Sequence, residues 1–368
     1  MAPAKSASND VVASEQRLAD LIRQIEAADR VALDTEADSL HSYREKLCLV
    51  QISAPSMVAA CREDDFIVDP LSSLDLEPLR CVLEPREIVL HAADYDLRML
   101  RRGLNFTASR IFDTVIAARL LGIREFSLGA LVKRFFSVEL HKHSQKANWA
   151  LRPLPPRMLK YAADDVHYLL PLAAKLEEEL EQVHRRDWFR QSCGRAIELA
   201  AAERERTPDD LWRIGGAGAL DPRAGAVLRT LWQWREAEAE MADRPPFHIL
   251  QNHDLLKAAE FFVSGQVPDY KHFSARRRQT FREAGEIALQ SPQSEWPVMR
   301  RRSGSRPSAE MRQRADQLRD RRDKAAERLG LERSFIASRG ALEAIAADPA
   351  RATTLLVPWQ RRLVGIDS

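Results

Sequence analysis

Short apolar runs and stretches of helical spacing alternate through the first half of the chain. Arg30–Asp34, Lys46–Ser53 and Met57–Cys61 have strand length, with a shorter apolar piece around Phe66-Ile67-Val68. Ahead of them, Ser14–Ala28 repeats its apolar residues at helical intervals. The same reading predicts helices over 74–83, 95–102, 114–121 and 127–136, and extended segments over 87–90 and 110–113. Strands first, then strands alternating with helices, predict an α/β domain whose mixed sheet is flanked by helices. Pro153, Pro155 and Pro156 precede a long helix expected from Arg157 to about Arg186.

Beyond that point the pattern is helical. Glu203–Pro208 reads as a linker and helix start, followed by helices over Ala224–Met241, Ile249–Phe262 and Ala275–Gln290. Ser291–Ser308, rich in Pro, Ser and Arg, predicts a second linker, and a further helical set follows it. The expected organisation is a disordered lead over 1–14, an α/β domain over 15–190, and helical domains over 206–290 and 309–364.

The candidate chemistry sits at the ends of the predicted elements. Asp34 and Glu36 close the run Val31-Ala32-Leu33, and a period of two puts both carboxylates on one strand face. Asp96 follows the apolar stretch Ile88-Val89-Leu90, and Tyr161 and Asp165 share a helix face at i, i+4 spacing. Gathered carboxylates repel one another unless a cation sits among them, and hard oxygen donors suit Mg²⁺ or Mn²⁺. Each residue also has a plainer reading: Asp34 as a turn cap, Tyr161 as a packing residue, Asp38 and Asp94 as surface acids. His91, His141, His143 and His167 lack zinc spacing.

In order and surroundings these residues resemble the ribonuclease D family, the tyrosine-type branch of the DEDD 3′-to-5′ exonucleases. The resemblance rests on Leu33-Asp34-Thr35-Glu36, His91-Ala92-Ala93-Asp94-Tyr95-Asp96, and Tyr161-Ala162-Ala163-Asp164-Asp165-Val166 followed by Tyr168-Leu169-Leu170-Pro171. Trp149-Ala150-Leu151-Arg152-Pro153-Leu154 matches a further element of that family. Trp232-Gln233-Trp234-Arg235-Glu236, with Pro246–Leu250 behind it, resembles the HRDC domain that often follows such nucleases. The second helical set over 309–364 is read as a possible degenerate copy of it. The resemblance implies a ribonuclease H-like fold and two divalent metal ions held by Asp34, Glu36, Asp96 and Asp165, with Tyr161 aligning the attacking water. It also implies a substrate, RNA with a free 3′ end such as a tRNA precursor, and a nucleoside 5′-monophosphate product. Two departures stand out: Ala37 where many relatives carry an aromatic, and Asn148 where the family often has Asp.

Composition narrows the field further. The net charge of +2 divides into 26 Lys+Arg against 29 Asp+Glu over residues 1–190, and 30 against 25 over 191–368. A mildly acidic half ahead of a basic one suits a metal enzyme with a nucleic-acid-gripping appendage. Arg276-Arg277-Arg278 and Arg300-Arg301-Arg302 are the candidate phosphate contacts. No apolar run is long enough to span a membrane. Cys48, Cys61, Cys81 and Cys193 form no close pair, as expected of a reducing cytoplasm. A DNA exonuclease of the same superfamily and a catalytically silent RNA-binding scaffold stand as the alternatives.

Overall fold

The computed structural model describes residues 11–57, 62–140, 144–202, 207–299 and 308–366. His141, His143, the Arg300–Arg302 run, most of the lead and all but the first residue of the expected strand 57–61 lie outside them, as do parts of both linkers. The chain divides into two compact units, one holding the sheet together with the C-terminal helices, the other holding the intervening helical segment and Ser39–Glu45.

The sheet of the first unit contains β1 (Val11–Val12), β2 (Arg30–Ala37), β3 (Leu47–Pro55), β4 (Glu63–Val68), β5 (Glu87–Leu90) and β6 (Arg110–Asp113), in the order β1-β4-β3-β2-β5-β6. Strands β2, β3 and β4 form an antiparallel meander, and β5 and β6 extend it in parallel beside β2. Val11 and Val12, inside the expected lead, pair in parallel with Ile67 and Val68 as an edge strand. Leu47 to Ala54 is buried without interruption, because β3 is central and covered on both faces.

The helices of this unit are α1 (Glu15–Glu26), α2 (Glu77–Leu83), α3 (Asp94–Leu104), α4 (Thr114–Leu120), α5 (Leu128–Phe136), α6 (Pro156–His167), α7 (Leu169–Gln182) and α8 (Arg186–Ala201). The single helix expected from Arg157 onward is in fact α6 and α7, which meet at Tyr168, the C-cap of one and the N-cap of the other. Pro171 causes the break: it has no N–H to give His167, and its ring crowds that carbonyl.

The intervening helical unit comprises α9 (Pro208–Leu211), α10 (Pro222–Met241), α11 (Pro246–Ile249), α12 (Asn252–Val263) and α13 (Ala275–Gln290), packed around Trp212, Leu228, Phe262 and Phe281. Pro222 starts α10 two residues earlier than periodicity suggests, with Asp221 as its N-cap. The set 309–364 forms α14 (Ala309–Leu329), α15 (Arg333–Ile336), α16 (Arg339–Ala347), α17 (Ala352–Leu355) and α18 (Pro358–Val364). Expected as a domain of its own, it instead shares the hydrophobic core of the first unit. Trp359 stacks on Trp188 at 5.0 Å, and the Arg185 guanidinium donates to the carbonyls of both Leu120 and Leu329. Apart from α14 these helices are short and bury too little apolar surface alone, so α8 completes their core.

Candidate active site

Alternation along β2 turns Asp34 and Glu36 to one face and Thr35 to the other. Across the strands, Asp34 lies opposite Gln51 and Glu36 opposite Leu49. Helix α6 crosses this face, with Met158 and Ala162 packed against Leu49 and Ile67. Tyr161 and Asp165 flank Ala162 on the same helix. The outcome is a cluster in which oxygens of Asp34, Glu36 and Asp165 all lie within 4.8 Å of one another.

Asp96 arrives from the first turn of α3. Its Oδ1 accepts from the Thr35 amide at 3.1 Å and the Thr35 hydroxyl at 2.6 Å, so the residue between the two strand carboxylates anchors the second motif. Asp96 stands outside the three-carboxylate cluster but lines the same cleft, as does Tyr161, whose hydroxyl is bonded to Asp165. The cleft has a volume of about 480 Å³. His91, Tyr95 and Gln145 line it further, with Leu128 and Leu140 as apolar wall.

The site is electrostatically frustrated without a cation. Burial, then the charges of Asp96, Asp165 and Glu36, holds the Asp34 carboxyl well above its usual range. Burial, then Asp165 and Asp96, raises Glu36 to about 9. Burial raises Asp96 to about 7 against the Thr35 bonds, and Asp165 to about 6 against the Tyr161 bond. Tyr161 itself is raised, by burial first and then by Asp165 and Glu36, so its hydroxyl keeps its proton. A hard-oxygen set that repels itself this strongly fits divalent cations.

Two supports hold the motifs in place. Trp149, fully buried, packs 6.0 Å from the Tyr161 ring. Arg152 ties that segment to the sheet through Asp69, at 2.5 and 2.6 Å, and through the Cys48 carbonyl at 2.9 Å. The second support is Asp113. Its carboxylate caps α4 through the amides of Val115 and Ile116, and also accepts from Ala92 at 3.3 Å and Ala93 at 2.9 Å. Those two amides belong to the turn that delivers Asp96, and Ala92 there has a φ of +63°. The Asp113–Thr114 pair reads in sequence as a helix cap. Its second task, gripping a turn twenty residues back, leaves no local signal.

The remaining acids and bases have structural duties. Asp38 is buried and accepts from the Lys46 amide at 2.7 Å, closing the β2–β3 connection. Asp94 pairs with Arg98, Asp164 with Lys160 at 2.9 Å, and His167 with Asp65 at 2.6 Å. Asn148 caps its own turn through the Ala150 amide. Arg276 and Arg277 both pair with the buried Glu238, at 2.7 and 3.0 Å, and Arg278 with Asp269 at 2.9 Å. All three arginines proposed to grip phosphate thus have acidic partners within their own unit. Cys48 and Cys193 are buried free thiols and Cys81 an exposed one. Among the described residues, no helix is long and apolar enough to cross a membrane.

A family model described as a 3′-5′ exonuclease matches residues 9–181, and a model of the HRDC domain matches residues 224–262. The chain is similar to a ribonuclease D of Pseudomonas paraeruginosa, with 31% identity over 301 residues, covering 78% of this chain and 76% of that protein. It is also similar to an exosome complex component 10 homolog of Drosophila melanogaster, with 30% identity over 260 residues. That match covers 68% of this chain but only 28% of the larger protein, so the chain spans a minor part of that relative's length. The crystal structure of Escherichia coli RNase D shares the fold, with a TM-score of 0.71 at 23% identity over 96% of each chain.

Proposed function

The chain belongs to the ribonuclease D family of 3′-5′ exonucleases, and from that premise we propose that it is a metal-dependent exoribonuclease that trims RNA from its 3′ end. The observation that carries this reading is the convergence of Asp34, Glu36 and Asp165 within 4.8 Å, on a cleft shared with Asp96 and Tyr161. An RNA-binding scaffold would gain nothing from burying carboxylates that raise one another's pKa.

Asp34, Glu36, Asp96 and Asp165 would hold two divalent ions, Mg²⁺ or Mn²⁺. The chemistry such ions supply is acidification of the attacking water and neutralisation of phosphoryl and leaving-oxygen charge. The chain's own residues do the rest. Tyr161, packed on Trp149 and giving its hydroxyl proton to Asp165, would accept from that water through its phenolic oxygen and so orient it. Thr35 aims Asp96 and opposes the effect of its burial, and the apolar wall of Leu128 and Leu140 shields the terminal nucleotide. In-line attack at the terminal phosphodiester expels the 3′-oxygen of the next nucleotide, and a nucleoside 5′-monophosphate departs. Stable-RNA precursors, tRNA among them, are the proposed substrates in the cytoplasm, with the HRDC-containing unit adding grip. In that unit Arg276 is the proposed phosphate contact of its triplet, because more than half of its side chain stays exposed beside Glu238.

Full-length protein incubated with Mg²⁺ or Mn²⁺ and 3′-extended tRNA should release mononucleotides, and chelation should stop it. Circular RNA of the same sequence should survive. Asp34→Asn and Asp165→Asn should each abolish release in a protein that still folds. Cutting of the circle, or near-normal turnover by either variant, refutes the reading.

A further inference from the structure

His91 lines the catalytic cleft yet has no part in the carboxylate cluster. The Thr114 hydroxyl has one hydrogen and two neighbours that can take it, the Leu90 carbonyl at 3.2 Å and His91 Nδ1 at 2.8 Å. With that hydrogen on Leu90, Thr114 accepts from Nδ1–H and Nε2 keeps a bare lone pair, and this tautomer is part of the proposal. Among the described residues Nε2 has no hydrogen-bond partner. Burial also holds the imidazole neutral, with its pKa down at about 4.

The cleft thus presents an uncharged acceptor, held in one tautomer by a relay from the backbone of β5. A ligand group meeting it must be a donor. Phosphate oxygens are acceptors and are excluded. Base N–H donors differ in number and position from base to base, uracil offering only N3–H, so an exonuclease working through mixed sequence cannot depend on one of them. A sugar hydroxyl is present at every position of an RNA. The turn that starts at His91 also delivers Asp96, so the imidazole shares a cleft with the carboxylates.

We propose that His91 Nε2 accepts a hydrogen bond from a sugar hydroxyl of the 3′-terminal nucleotide, and so makes the site a reader of ribose. The inference rests on the exonuclease reading above. The hydroxyl is either the 2′ group, which would make His91 a discriminator against DNA, or the terminal 3′ group, which would make it a sensor of a free end.

The test compares wild type, His91→Phe and Thr114→Val on one RNA oligonucleotide ending in ribose, 2′-deoxyribose or 3′-deoxyribose, each with terminal U and terminal A. Wild type should favour all-ribose ends over one deoxy form by roughly three- to tenfold in kcat/KM, the worth of a neutral hydrogen bond. His91→Phe should bring that ratio to one by lowering the ribose end and the other deoxy end alike, while the end that wild type disfavours stays unchanged. Thr114→Val, which leaves the cleft lining intact but frees the tautomer, should fall between. Long-range ¹⁵N NMR of the metal-free protein should show Nδ1–H, and binding of a ribonucleoside 5′-monophosphate in EDTA should shift Nε2.

Equal losses on all three ends would make His91 a structural support and overturn the proposal. So would a loss confined to terminal A, which would indicate base reading, or wild type with no preference among the ends. Absence of any metal-dependent release by wild type would instead refute the exonuclease reading, which separates the two failures.

Discussion

Replacing Asp113 tests how the catalytic turn is held. Its carboxylate is 4% exposed and accepts four backbone amides, two from the start of α4 and two from the turn at Ala92 and Ala93. Truncation in Asp113→Ala removes a helix cap, at about 1–2 kcal/mol. It also strands the buried Ala93 amide, at about 1–3 kcal/mol, while the exposed position of Ala92 lets its amide turn to water. The sum is about 2–5 kcal/mol, a large share of the stability of a domain this size. Asp113→Asn keeps Oδ1, which serves Ala92, Val115 and Ile116, but turns an NH₂ donor toward the Ala93 amide, where Oδ2 had accepted at 2.9 Å. That exchange should cost about 1–3 kcal/mol. The turn is already strained, because Ala92 sits at a φ of +63°, a region that costs a residue with a Cβ about 1 kcal/mol. Ala92→Gly should therefore stabilise the protein by up to about 1 kcal/mol and partly rescue Asp113→Asn. Hydrogen exchange of the α3 and α4 amides, with urea unfolding, reads these effects in the relevant unit. Exonuclease rate should drop further than stability alone accounts for, since Asp96 is released with the turn. Asp113→Asn within about 0.5 kcal/mol of wild type, with an unchanged rate, would refute the bracing role, because it would lie inside the range of ordinary surface changes.

Glu36 stands at about 9 in the folded protein against about 4.3 in an unfolded chain. The folded state keeps a proton that the unfolded state gives up, so metal-free stability is full below about pH 4.3 and is lost as pH rises toward 9. Thermal melts in EDTA should fall across that window, more gently in Glu36→Gln, and saturating Mg²⁺ should flatten the fall. Melts that rise with pH would contradict the sign. Tyr161→Phe should lower the rate by roughly 10- to 100-fold, the worth of one hydrogen bond to a charged group or activated water, with metal affinity measured by calorimetry close to wild type. Lost metal binding would make Tyr161 a structural residue. Neutralising Arg276 and Arg277 together leaves Glu238, only 4% exposed, without a cation. Unfolding of the HRDC-containing unit should become easier by about 3–5 kcal/mol, and Glu238→Gln should restore most of it. RNA affinity is best compared in the triple variant Arg276→Gln, Arg277→Gln, Glu238→Gln, where an unchanged salt slope would show that the grip lies elsewhere.

The sequence alone determined the elements and the chemistry of this protein where both are local. Strand period placed Asp34 and Glu36 on one face, helix period paired Tyr161 with Asp165, and β5 and α13 begin and end where their residue patterns change. The motifs in order were enough to name the family. Tertiary structure decided whatever depends on residues distant in the chain. Pro171 alone hints that α6 and α7 part company. Only packing shows that 309–364 joins the first unit, because an amphipathic helix does not specify whose apolar face it will cover. Arg276–Arg278 look like free positive charge in sequence, since their partners Glu238 and Asp269 lie in other elements or loops. The tautomer of His91 depends on Thr114, and the aim of Asp96 on Thr35 and Asp113. Each is a hydrogen bond between segments more than twenty positions apart or in different strands, which propensity and periodicity cannot encode.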